Sequence, residues 1–165
     1  MAVVPLPVPS NAGGRQLSKR KRGVTVALLL ALAGGIHLAV APEHVSEYLP
    51  FGLAFYGMAA LQLLAALAFA AGRTPVAVRR ATVALSLAIA ALWATSRLVG
   101  LPIGPEPWLA ESVGFEDALC TVLEVAAAAV ILATNASDPV SHGVAEVATL
   151  APPAMWRPVD GKEPA

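Results

Sequence analysis

Apolar residues gather into four runs along the chain: Val24 to Ala41, Phe51 to Ala71, Ala81 to Val99 and Val113 to Ala133. Each is at least about 18 residues long, enough for a helix rising about 1.5 Å per residue to cross the hydrocarbon of a bilayer. The spacing predicts an all-α protein, an integral membrane four-helix bundle. The polar residues that interrupt the runs are few: His37 in the first, Gln62 halfway along the second, Arg97 near the end of the third, and Glu116, Asp117 and Glu124 in the fourth. A charged side chain at the centre of a spanning helix costs about 2.5–3.5 kcal/mol on insertion scales. Such groups persist where they face a bundle interior, pair with one another or bind something.

The segments outside the runs fix the expected boundaries. Residues 1–23 carry three closely spaced prolines, then glycines, then the basic run Lys19, Arg20, Lys21 and Arg22. Nothing there can bury a core, so a disordered tail is expected. A basic segment before an apolar one also describes a signal peptide, and Ala39-Val40-Ala41 resembles a cleavage site. Pro42 directly after it argues for a retained helix. Residues 134–165 read as a tail, with Asp138 and Pro139 positioned to start a short helix.

Charge is segregated among the connections. The segment GRTPVAVRR holds Arg73, Arg79 and Arg80, whereas PEHVSEYLP and GLPIGPEPWLAESV hold no lysine or arginine but contain Glu43, Glu47, Glu106 and Glu111. The positive-inside rule then places both termini in the cytoplasm and both acidic loops outside, for a multi-pass protein of the plasma membrane. With that orientation the polar residues of the spans concentrate in the outer half, with Gln62 deepest. Tyr48 and Trp108 fit interfacial anchors, and Pro102, Pro105 and Pro107 stiffen a loop that is expected to lie over the bundle mouth as a lid.

Composition agrees: 57% of residues are hydrophobic and 13% charged, and mean hydropathy is +0.69, against about 25% charged residues in soluble domains. Lysine plus arginine and aspartate plus glutamate both total 11, so the net charge of zero conceals the segregation. One cysteine, Cys120, excludes an internal disulfide framework and any multi-cysteine metal site. The expected partners are the lipid bilayer and, as open alternatives, a second copy or other membrane proteins; no nucleic acid is expected.

Helical periodicity says which groups share a face. His37 lies with Ala33, Gly34 and Ala41; Gly52, Ala59 and Ala66 repeat every seven residues beside Gln62, a pattern suited to close packing. Thr82, Ser86, Ala90, Trp93 and Arg97 form one stripe, and Asp117, Cys120, Glu124 and Ala128 another. Arg97 has three readings: an ion pair with Asp117 or Glu124, snorkelling to the surface, or contact with an anionic ligand. A carboxylate in hydrocarbon pairs, binds a cation or stays neutral, and two acids facing one arginine leave one carboxylate over. Gln62 is positioned to bridge to His37 or Arg97.

Candidate ligand-binding residues are therefore His37, Gln62, Arg97, Asp117 and Glu124. His37, Glu43 and His44 suggest a divalent metal site at the outer rim, since imidazole and carboxylate suit zinc, copper or iron. Pro42 is expected to interrupt the helix between the two histidines. Haem is not expected, because a single histidine lies within a span. Cys120 reads as packing filler. No phosphate loop, nucleophile elbow or two-cysteine motif is present.

The segment HLAVAPEHVSEYLPFGLAFYGMAALQ, with SRLVGLPIGPEPW and GFEDALCTVLEV, resembles a group of small four-helix membrane proteins of alanine-rich, actinobacterial type. The resemblance spans the first helix to the fourth and rests on His37, Pro42-Glu43-His44, Gln62, Arg97, the LPIGPEP turn and Glu124. It implies that these positions form one constellation and implies no activity. The sequence thus supports an intramembrane cluster that binds a small ligand or metal ion. Two alternatives stand beside it: an accessory subunit whose charges only pack helices, and a membrane enzyme using Glu124 or Asp117 as acid and base.

Overall fold

The structure, a computed structural model, describes residues 12–136. They form four helices and no strand: α1 (Ala12–Glu47), α2 (Leu49–Ala70), α3 (Val76–Leu98) and α4 (Phe115–Ala136). All four are long and apolar enough to cross a membrane. The segment that would carry the expected short helix after Asp138 lies outside the described residues.

α1 is the longest element, with 36 residues, or about 54 Å at 1.5 Å each. It starts twelve residues before the first apolar run and takes in the basic run, because Arg, Gln, Leu and Lys are strong helix formers. At its other end the expected interruption at Pro42 does not occur, and the helix continues to Glu47. A proline inside a helix removes one hydrogen bond and costs about 3 kcal/mol. The turn beyond it is held by packing on α2, with the His44 ring 4.1 Å from that of Phe55 and Val45 against Gly52.

This uninterrupted path changes a depth. His37 lies ten residues, about 15 Å, from the end of α1, whereas a helix ending at Ala41 would have put it about 6 Å from the end. Its real depth matches that of Glu124, nine residues or about 14 Å into α4.

Small residues bring α1 and α2 together. A Cβ on Gly52 would stand 2.6 Å from the Val45 Cα, and one on Gly34 would stand 3.2 Å from the Ala59 carbonyl oxygen. The buried face of α2 is the stripe Gly52, Ala59 and Ala66 with Gln62 beside it, as read from the sequence, together with Phe69. Without a hydrophobic driving force between helices in lipid, such close contact supplies the attraction. Toward the basic end, Val26, Ala27 and Leu30 of α1 meet Ala66 and Phe69 of α2 and Ala127 and Ile131 of α4 in an apolar cluster. Leucines 28, 32, 53, 61, 64, 67 and 92 point outward, the surface that lipid would cover.

α3 ends at Leu98, and two residues on Gly100, with φ of +77°, allows the chain to reverse. The connection to α4 folds back on the helix: the Trp108 amide donates to the Leu101 carbonyl at 2.8 Å and the Glu111 amide to the Ser96 carbonyl at 3.1 Å. Gly104 comes so close to α2 that a Cβ would lie 3.0 Å from the Phe51 ring. The proline-bearing loop therefore reaches across to the start of α2, as a lid over that end would.

Gly52→Ala is expected to destabilise the bundle by about 1–3 kcal/mol through overpacking, read as a lower midpoint in detergent denaturation. Gly35→Ala is the control, since a Cβ there meets nothing within 4 Å, and helix propensity alone favours it by up to about 1 kcal/mol. Equal midpoints for the two variants would remove the close approach from the account.

Candidate functional site

Four side chains from three helices meet in the interior of the bundle. His37 from α1, Gln62 from α2, and Cys120 and Glu124 from α4 are each buried, with Gln62 and Glu124 at 0% exposure. They lie there because the polar residue of each helix falls on its small-residue face: His37 follows Ala33 and Gly34, and Gln62 sits between Ala59 and Ala66. The faces pulled together by the glycines and alanines therefore carry the polar groups with them.

Gln62 joins the cluster. Its Nε2 donates to Glu124 Oε1 at 2.5 Å, so its carbonyl oxygen faces the other way and accepts from His37 Nδ1 at 2.9 Å. The amide orientation sets the imidazole tautomer: Nδ1 carries the proton and Nε2 is left with its lone pair. Cys120 Sγ lies 3.6 Å from His37 Nδ1 and 3.9 Å from Nε2, and its thiol donates to the Ala33 carbonyl at 3.6 Å. Glu124 Oε1 is also 3.9 Å from His37 Nδ1. The second carboxylate oxygen, Oε2, is buried and has no hydrogen-bond partner.

Arg97 belongs to a separate group nearer the end of the bundle. Its Nη2 donates to Asp117 Oδ2 at 2.5 Å, and its Nη1 donates to Glu111 and, at 3.2 Å, to Ser96 Oγ. One guanidinium thus ties α3 to the first turn of α4 and to the loop between them. Of the two expected acidic partners it takes Asp117 and not Glu124. Glu111, which sequence reasoning treated only as loop charge, is the second. Its signal was the absence of any other cation in that connection.

The two groups share a cavity of about 920 Å³. His37, Cys120 and Glu124 line one part of it, and Arg97, Asp117 and Trp93 another; Gln62 is not among the lining residues and supports the wall from behind. Loop residues Leu101, Ile103 and Leu109 complete the enclosure. Around the rim stand Glu43, Glu47, Glu106 and Glu116.

Among the described residues, the group of His, Cys, Asp or Glu donors able to hold a metal ion is His37, Cys120 and Glu124, whose ligand atoms lie within 4.8 Å of one another. It shares His37 with the expected trio of His37, Glu43 and His44. In the structure His44 turns to Glu47, with Nδ1 3.3 Å from Oε2, and stacks on Phe55. Glu43 is exposed and its backbone carbonyl accepts from Ser46 Oγ at 2.7 Å. Phe55 packs on both imidazoles, at 5.3 Å from His37 and 4.1 Å from His44. Cys120, read as filler, adjoins His37; the signal for it was its place on the Asp117–Glu124 face of α4.

No protein-family model matches the chain, and no curated protein or solved structure matches it.

Replacing Gln62 by Leu strands His37 Nδ1 and Glu124 Oε1 in an apolar interior, with an expected loss of about 1–3 kcal/mol for each group left without a partner. Detergent unfolding of Gln62→Leu measures it, and a loss below that of Gly52→Ala would show that the amide carries little. Arg97→Met is expected to loosen the α3–α4 loop, raising the rate of proteolysis within residues 100–111. An unchanged cleavage rate would mean that the loop is held by its backbone hydrogen bonds alone.

Proposed function

We propose that the chain is a multi-pass plasma-membrane protein, with both termini in the cytoplasm, whose polar cluster binds a small cationic ligand, foremost a divalent metal ion, reached from the outer side. The observation that carries this reading is the convergence of His37, Cys120 and Glu124, three donors from two helices, to within 4.8 Å in the floor of a cavity. A helical bundle in lipid has no general reason to bury an imidazole, a thiol and a carboxyl at one point. Intramembrane ionisable groups are expensive and are retained where they act.

Charge supports a cation over an anion. The lining includes seven carboxylates, Glu43, Glu47, Glu106, Glu111, Glu116, Asp117 and Glu124, against one guanidinium, that of Arg97. Arg97 already donates to two of those acids, so little of its charge is left for an anionic ligand. A cleft lined by one sign of charge raises the local concentration of the opposite ion. In this reading Glu43, Glu47 and His44 belong to the entry, and Arg97 with Asp117 serves the architecture of the mouth. Asp117 also lies on the face of α4 that leads down to Cys120 and Glu124, one helical turn at a time.

Element analysis of the detergent-purified full chain, after equilibration with a mixture of divalent ions and removal of excess, is expected to give about one tightly held ion per chain. His37→Ala and Glu124→Ala are expected to reduce it at least tenfold. Equal, near-zero content in all three proteins, each folded by circular dichroism, would overturn the reading. The orientation is checked on intact cells: with Cys120 replaced by Ser in both variants, a membrane-impermeant maleimide should label Glu106→Cys and not Arg80→Cys.

A further inference from the structure

The ion-binding reading leaves open which ion, which atoms hold it and what remains of its coordination sphere. The hydrogen bonds around the cluster answer each question in turn. Gln62 occupies His37 Nδ1 and Glu124 Oε1, one atom from each side chain. What it leaves over is His37 Nε2 with its lone pair and Glu124 Oε2, which is fully buried and unpartnered. Metal-ligating histidines characteristically commit their other nitrogen to an oxygen acceptor, which fixes the tautomer and aims the ring. Here a single amide does this for the imidazole and for the carboxylate together. An unpartnered oxygen in a residue at 0% exposure is one that a bound cation would satisfy.

The third donor is Cys120 Sγ, 3.9 Å from His37 Nε2. Zinc bonds of about 2.0–2.3 Å at tetrahedral angles put neighbouring ligands about 3.3–3.8 Å apart. One ligand atom of each side chain lies within 4.8 Å of the other two, and closing on an ion at tetrahedral spacing needs side-chain adjustments of at least about 1 Å. One nitrogen, one sulfur and one carboxylate oxygen are the ligand types of zinc. They are wrong for calcium and magnesium, which take six or more oxygens or keep their water. The carboxylate in turn weighs against copper(I), which soft sulfur ligands select. Three protein ligands also leave a four-coordinate ion one position short, the ligand count of zinc sites with an exchangeable fourth partner. All three donor residues line the cavity, so that position opens into it.

We propose that His37 Nε2, Cys120 Sγ and Glu124 Oε2 form a tetrahedral site for zinc or an ion of its class, oriented by Gln62 and with its fourth position open to the cavity. The inference rests on the ion-binding reading and adds thiolate coordination, geometry and vacancy to it. On binding, the metal replaces the Cys120 S–H proton, which leaves through the cavity, and no electron is transferred. Gln62 acts as a positioning residue, since it reaches the ion only through its two partners.

Cobalt(II), a spectroscopic stand-in for zinc, tests the geometry on the detergent-purified full chain. Titration of metal-free protein is expected to produce strong visible bands of a four-coordinate ion and a near-ultraviolet sulfur-to-cobalt band. Added azide or cyanide should shift the visible bands by entering the open position. Cys120→Ser should lose the near-ultraviolet band and bind more weakly. Gln62→Leu should keep that band while weakening binding about 10–100-fold.

Because Cys120 is the only cysteine, wild-type protein supplies an independent readout that needs no variant. Saturating zinc is expected to slow alkylation of Cys120 by a small maleimide at least tenfold. Weak bands of a six-coordinate ion, unchanged in Cys120→Ser, or alkylation at equal rates with and without zinc, would overturn the proposed site while ion binding stands. Failure of the folded wild-type chain to take up either cobalt or zinc would overturn ion binding itself.

Discussion

A primary amide that bridges an imidazole and a carboxyl inside an apolar bundle is the constraint on which the rest of the structure turns. In lipid no water is at hand to repair an unmatched donor or acceptor, so each buried polar group must find its partner within the protein. Gln62 has one acceptor and one donor group and points them at different helices, His37 on α1 and Glu124 on α4. Three helices are thereby held in one relative register. A slide of α2 by a single turn, about 5.4 Å, would break both hydrogen bonds at once. Apolar packing of leucine on leucine tolerates such slides much better, because lipid tails and side chains are nearly equivalent neighbours. Register in this bundle is specified by polarity and permitted by small residues.

The small residues set how near the helices can come, and so whether a side chain as short as glutamine can span the gap. Gly34 and Ala59 stand within a helical turn of His37 and Gln62 and let the two backbones approach there; Gly52 does the same near the mouth, against Val45. This is also why Pro42 is accommodated. The hydrogen bond lost inside α1 is offset by the contacts of the turn beyond it, where Val45 and His44 rest on α2. A helix broken at Pro42 would have released those contacts.

Much of this was legible in the sequence. The four spans follow from run length, and the buried faces of α1 and α2 follow from the spacing of Ala33, Gly34, Gly52, Ala59 and Ala66. His37, Gln62 and Glu124 stand out because each is the costly residue of its span. What periodicity does not supply is the rotation of one helix against another, and that decides partners. Arg97 faced two acids one and a half to two turns apart on the same helix, and only three-dimensional packing selects Asp117. Cys120 was hidden for a different reason: a buried cysteine is commonly a small hydrophobe, and only the neighbouring imidazole makes it more. Glu111 lies in a loop, where no periodicity operates.

The division of the acids is the point at which structure and chemistry part. Counting charges leaves a surplus carboxyl in α4 but does not say which one. Arg97 resolves this by its position at the end of α3: it takes Asp117 and, through the folded-back loop, Glu111, and both of those acids remain partly in contact with solvent. Those pairs need no ligand, because rim charges are solvated on one side and matched on the other. Glu124, about two turns deeper than Asp117 and at 0% exposure, has no such help. The amide of Gln62 satisfies one of its oxygens and none of the described residues satisfies the second. A bundle selected for stability alone could replace His37, Gln62 and Glu124 together by apolar residues of similar volume, an exchange that for buried charged groups is commonly neutral or stabilising. One donor atom each of imidazole, thiol and carboxyl lies within 4.8 Å of the other two, and it is this convergence, more than the presence of any one of the three, that separates a candidate site from a packing contact.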